Sequence, residues 1–140
     1  MVRPQLFYLG AFLFLLLQFS TPPSVVAASK SALDPGYVPA LATADHFLQA
    51  WQSGDVESGT ALLSSHVREA VTSEGVEAFF SQPVPGAYEI ERGKLLRRGR
   101  YEFPVVLVTE TAKGSRARRR FSSIIVVNTG NNDWAVDKLP

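Results

Sequence analysis

The hydrophobic period of this 140-residue chain changes once, near Ala87, and that change restricts the fold more than any other feature. Before it, apolar residues recur at helical spacing. Leu41, Ala44, Phe47, Leu48 and Trp51 share one face of a helix, and Gly54 closes it as a C-terminal cap. A second pattern, Val56, Gly59, Leu62 and Leu63, runs on to Val67 past an interruption at Ser64-Ser65. Between the two, Asp55 is suited to cap the new helix, because its carboxylate accepts from amides that have no partner there. Glu57 in the first turn favours the positive end of the helix dipole, and His66, placed late in the pattern, favours the negative end. Ser73-Glu74 opens a third, shorter helix with Val76, Phe79 and Phe80 inward, and Pro83 and Pro85 stop it.

After Ala87 the chain alternates. Tyr88 and Ile90 are interleaved with Glu89 and Glu91, and three further strands read as Tyr101 to Ala112, Arg116 to Asn128, and Trp134 to Asp137. Arg98-Gly99, Lys113-Gly114-Ser115 and Thr129-Gly130-Asn131-Asn132 read as the turns between them. Pro104 falls inside the second strand. Having no amide to donate, it belongs at a bulge or on a locally unpaired side. In the register these turns imply, Glu89, Glu110 and Arg119 share one row across three strands. Helices first and sheet after make this an α+β chain, with two to three N-terminal helices packed on a curved four-stranded antiparallel meander, a cone-shaped roll.

The order and spacing of three stretches, FLQAWQSGDVESGTALLS at 47–64, GRYEFPVVLVTETAKG at 99–114 and NTGNNDWAVDKL at 128–139, resemble the nuclear transport factor two-like superfamily. That superfamily has the cystatin-like α+β roll. The chain departs from the family pattern in showing no clear short strand pair between the second and third helices, an abbreviated form often shared by exported bacterial members of unknown function, which it resembles. The resemblance implies a sheet wrapped around the helices, a pocket at the open end and a tendency to form dimers. Members include ketosteroid isomerases, dehydratases, limonene-epoxide hydrolases and many non-enzymes, so the fold leaves the function open.

The N-terminus reads as a leader. Arg3 precedes an almost purely apolar run from Leu6 to Phe19, followed by Pro22-Pro23 and the small residues Val26-Ala27-Ala28. That is the order of a secretory signal peptide, and the run is too short to span a bilayer, which takes about twenty apolar residues. An uncleaved anchor is the alternative. The expected division is 1–28 signal peptide, 29–39 flexible tether and 40–140 a single roll domain, with export to the periplasm or the medium and no transmembrane segment after signal removal. Without cysteine and with two histidines, the chain carries no disulfide framework and none of the familiar zinc, haem-thiolate or iron–sulfur ligand sets. No cofactor and no metal are expected. Ser29–Glu91 holds two basic against nine acidic residues and Arg92–Pro140 eleven against four. The halves cancel, which argues against a nucleic-acid partner held by bulk charge.

No catalytic residues are assigned. Asp45 and His46 are adjacent on a helix and point about 100° apart, with the apolar face turning both toward water. Asp137 alternates with Trp134 and Val136, and is expected to face solvent. No serine lies in a nucleophile-elbow context and no glycine-rich phosphate loop follows a strand. The candidates for a cavity are Phe47, Trp51, Phe80, Tyr88, Phe121 and Trp134, with plain core as the competing reading. Arg116, Arg118, Arg119 and Arg120 are candidates for an anion site, with a solvated strand end as the rival. The stretches PVVLV at 104–108 and IIVV at 124–127 are apolar on both faces of the sheet while helices can cover only one, so a homodimer through the sheet is expected. The function these features favour is an exported non-enzymatic domain that binds or self-associates through the sheet face or cavity. One alternative is a cavity enzyme or small-molecule binder for an apolar ligand. The other is a binder of envelope anions through Arg116–Arg120.

Overall fold

A computed structural model describes residues 34–81, 86–110 and 116–140. The leader, the start of the tether, the prolines at 83 and 85 and the turn at 113–115 lie outside the described residues. Four helices precede five strands: α1 (Tyr37–Ser53), α2 (Val56–Ala61), α3 (Ser65–Ala70), α4 (Ser73–Phe80), β1 (Ala87–Ile90), β2 (Lys94–Arg97), β3 (Arg100–Glu110), β4 (Ala117–Gly130) and β5 (Asp133–Lys138). No helix among the described residues is long and apolar enough to cross a membrane.

Local chemistry accounts for the helices. α1 opens at Tyr37, within the stretch read from sequence as tether. Pro39 is compatible because amides in a first helical turn have no intrahelical partner. Gly54, at φ 70°, ends α1 with its amide on the carbonyls of Ala50 and Trp51. Asp55 follows at once as the cap of α2, its Oδ1 accepting from the Ser58 amide at 3.0 Å. The Gly-Asp pair therefore turns the chain between two helices with no intervening loop.

The second helical pattern divides at Ser64. Its hydroxyl accepts from the Val67 amide at 3.2 Å and so caps α3, while the preceding residues run beside β5. There the Val136 amide donates to Leu62 O and the Ser64 amide to Val136 O, both at 2.8 Å. His66 consequently stands in the first turn of α3, at the positive end of its dipole, and not near a helix C-terminus as the unbroken pattern suggested. Thr72, one residue before the expected Ser73, caps α4 through the Gly75 amide.

The sheet has five strands where the sequence pattern indicated four. Its order is β1-β3-β4-β5, with β2 also on β3. β3 is long enough to take two partners end to end: β1 covers Val105–Val108 and β2 covers Arg100–Glu102. The break between them contains Gly93, where a Cβ would lie 2.3 Å from Cδ1 of Phe103. Only a bare Cα lets the chain cross the ring so closely. Pro104 falls at the same junction. Its carbonyl accepts from the Glu91 amide at 2.9 Å, and its absent amide would point to that same interrupted edge, so only the reciprocal bond to Glu91 is missing.

Alternate residues of the sheet build the core. Tyr101, Phe103, Val105, Leu107, Ile124, Val126 and Val136 pack with Ala44, Phe47, Leu48, Trp51, Leu63 and Phe80 in one buried cluster. Val106 is 8% exposed yet lies outside this cluster, because it faces the opposite side. There it pairs with Phe121, which is 74% exposed. The expected row of Glu89, Glu110 and Arg119 does not form. They pair with Val106, Ala117 and Val108 respectively.

Candidate functional site

α1, α4 and the adjoining ends of β3 and β4 enclose a cleft of about 420 Å³ lined by Trp51, Ala78, Phe79, Leu107, Thr109, Arg118, Arg119 and Arg120. The register explains this company. Leu107 pairs with Arg120 and Thr109 with Arg118, so both arginines lie on the helix-facing side of the sheet that Leu107 helps to bury. Arg119 pairs with Val108, and alternation assigns its side chain to the other face. Trp51 is 1% exposed and forms the cleft's apolar floor. The Phe79 ring stands 6.3 Å from it and stacks on Phe47 at 5.8 Å. Arg120 Nη2 donates to the Pro140 carbonyl at 2.7 Å. The ion pairs among the described residues are at other places, Lys94–Glu102 and Arg100–Asp137.

Phe47 and Phe80, sequence candidates for a cavity wall, are buried in the filled core. Tyr88 belongs to a separate groove with Val38, Leu41, Ala42, Asp45 and Ile90. Its hydroxyl donates to Asp45 Oδ1 at 2.8 Å, and Gln49 Nε2 donates to Oδ2 at 2.7 Å. Burial first, and Asp45 second, push the Tyr88 hydroxyl up to about 12, so it stays a proton donor that ties β1 to α1. Asp45 is thereby half-buried, whereas His46 is exposed as expected. Trp134 lies toward the other end of the sheet against Tyr101, with ring centroids 5.7 Å apart, beside Asn128, Asn132 and Arg98. Its Nε1 is buried without an acceptor among the described residues. Phe121 is on the outer face, and Arg116 is exposed ahead of β4, outside the cleft lining.

Asp137 does not face solvent. Val126 pairs with Val136 and Ile125 with Lys138, which leaves Asp137 as the extra residue of a bulge, where simple alternation fails. Its Oδ1 accepts from Ser64 Oγ at 2.8 Å and its Oδ2 from Arg100 Nη1 at 2.6 Å. Burial pushes this carboxyl up, but the hydrogen bonds from Ser64 and Arg100 outweigh it and hold the group below its ordinary range. The carboxylate clamps the α3 cap and the start of β3 to β5. Asp45, His46, His66 and Asp137 thus occupy separate surroundings, and no group of three acidic or imidazole side chains among the described residues is placed to hold a metal.

Of the sequence candidates, the cleft brings together the side chains of Trp51, Arg118 and Arg120, while Arg119 borders it with its side chain assigned to the other face. Thr109 and Leu107 were missed as lining residues. Their alternation with Val108 was visible, but their proximity to arginines depends on the β3–β4 register. Phe79 was read as a helix-face aromatic, and only α4's position turns it to the cleft.

No protein-family model matches the chain, and no curated protein matches it. Among solved structures, a ketosteroid isomerase-like protein from Erwinia carotovora atroseptica SCRI1043 superposes with a TM-score of 0.55 and 12% identity, over 74% of this chain and 92% of that one. Helices segregated before an antiparallel sheet, the helix break at Gly54-Asp55, the closing Trp134 strand and that superposition agree: the chain has the nuclear transport factor two-like fold, a cystatin-like α+β roll.

Proposed function

We propose that this chain is an exported, non-enzymatic domain that binds a small ligand in the cleft between Trp51, Phe79 and the ends of β3 and β4. The observation that carries this reading is a cleft of about 420 Å³ with an aromatic floor, beside the buried core. That volume lies within the range of small-molecule sites. Among the described residues its lining includes no carboxylate, imidazole or thiol, the groups that proton transfer or covalent catalysis would need within hydrogen-bond reach. The isomerase-like name of the superposed protein is for that reason not carried over to this chain. Amide shifts on titration with a naphthalene-based apolar probe should cluster at Trp51, Phe79, Leu107 and Thr109. Shifts confined to other surfaces would overturn the assignment. Export rests on the leader pattern of residues 1–28, and predicts that protein recovered from the envelope or medium begins near Ser29. An intact Met1 on that species would refute it.

Self-association through the outer sheet face is a second element of the proposal, favoured by Phe121. This ring is 74% exposed on the face that also carries Val106, Val108, Ile125 and Val127. A ring this exposed on a sheet face offers an anchor that a twofold pairing would bury against its own copy. Of the adjacent isoleucines, Ile124 is in the core and Ile125 faces outward. Ile125→Asp should therefore shift sedimentation toward the monomer and leave the helix-facing core intact. A wild-type protein that sediments as a clean monomer at high micromolar concentration would exclude the dimer.

A further inference from the structure

We infer that the cleft selects an amphiphilic anion, its single acidic head (carboxylate, sulfonate or phosphate) held between Arg118 and Arg120 and its apolar body laid against Trp51 and Phe79. The inference rests on the cleft being a ligand site and adds the chemistry of the ligand. Arg118 and Arg120 are two apart on one strand, so their stems leave the same face about 7 Å from each other. Two guanidiniums at that spacing can converge on one oxyanion, each offering a planar fork of donors.

The surroundings favour charge recognition over charge display. Among the described residues no acidic side chain lines the cleft, and the ion pairs there use Arg100 and Lys94 instead. Arg120 gives one Nη2 to Pro140 O, which holds the guanidinium in place with further donors to spare. Thr109, opposite Arg118 in the ladder, adds a hydroxyl at the same spot. A strand end charged only for solubility would leave the inner-face positions unexplained. Farther along that face of β4, Ile124 and Val126 are buried in the core, yet beside the aromatic floor it bears arginine. Apolar walls lower the local dielectric and strengthen attraction to an anion, while the same walls hold the hydrophobic part of the ligand.

The test compares two probes with one ring system, 1-anilinonaphthalene-8-sulfonate and the uncharged N-phenyl-1-naphthylamine. The sulfonate should bind at least about tenfold more tightly, the equivalent of one charge-assisted hydrogen bond, and should weaken as salt is raised. The double variant Arg118→Gln/Arg120→Gln should abolish that preference and leave the neutral probe's affinity unchanged. Arg97→Gln, at the other end of the sheet, removes the same charge and should alter neither. Equal affinity of the two probes in the wild type, or a preference that survives the double variant, would overturn anion selection while the cleft stands as a site. Failure of both probes to bind would overturn the cleft reading itself. Vesicles of phosphatidylglycerol separate the sources of the head group. Arginine-dependent cosedimentation would put it in a bilayer, and arginine-dependent probe binding without cosedimentation would put it in solution, and either result sustains the inference.

Discussion

Replacing Trp51 with alanine should remove about 3–5 kcal/mol of stability, the usual cost of emptying an aromatic site in a core. Trp51 is 1% exposed on the buried face of α1, in its last turn. Its ring meets Phe79 at 6.3 Å and presses on Gly86, where an added Cβ would lie 2.6 Å from Cη2 of the indole. α1, α4, the start of β1 and the far end of β3 all lean on this one side chain, so little can collapse into the space it leaves. Domains of this size hold only about 5–15 kcal/mol in total. With no disulfide in the chain, nothing covalent limits the unfolded state. Urea unfolding should show the variant barely folded in the absence of denaturant. Trp51→Phe keeps an aromatic floor and should lose less, while enlarging the cleft. A loss under about 1 kcal/mol for the alanine variant would be that of a surface residue, and would mean the indole is not a core element.

Asp137→Ala should cost about 1.5–3 kcal/mol at neutral pH, the range for hydrogen bonds to a charged group. The Asp137 side chain is 13% exposed and its partner Arg100 25%. Arg100 can therefore reach water after the change, which keeps the loss below the larger values for a fully buried pair. Ser64 Oγ also loses its acceptor. The sign of the pH dependence follows from the direction of the shift. The folded carboxyl titrates below its ordinary value of 3.8, so its contribution is complete above that value and is lost as pH falls through it toward the folded pKa. The gap in stability between wild type and variant should accordingly be widest at neutral pH and shrink in acid. Asp34, Asp55 and Glu102 are lowered as well, so the variant keeps a weaker acid sensitivity of its own. Parallel stability curves from neutral to acid pH would contradict a role for the Asp137 charge.

Much of the fold can be read directly from residues a turn or two apart. The helical face of Leu41–Trp51, the Gly54-Asp55 break, the alternation after Ala87 and the unpaired side at Pro104 all express local backbone rules, and each has its counterpart in the structure. The points that escaped that reading depend on distant segments. α2 stops at Ala61 and Ser64 caps α3 because the chain between them is drawn onto Val136 of β5. β2 exists because β3 extends beyond β1 and offers a free edge to Lys94–Arg97. Neither cause is visible within a window of neighbouring residues.

The candidate site divides along the same line. By itself the sequence determined that Trp51 is an inward aromatic and that positions 116–120 concentrate positive charge, since helix periodicity and composition are properties of the chain. Only the tertiary structure decided that Arg118 and Arg120 share a face with Leu107 and lie across from Trp51 and Phe79. That outcome hangs on the β3–β4 register, in which a slip of one residue would send both arginines to the outer face and Arg119 inward. Asp137 shows the same dependence: one extra residue in β5 turned a side chain that alternation points to water into the clamp between Ser64 and Arg100. Register and bulges are set by the best total burial across strands far apart in sequence, and so they belong to the folded whole.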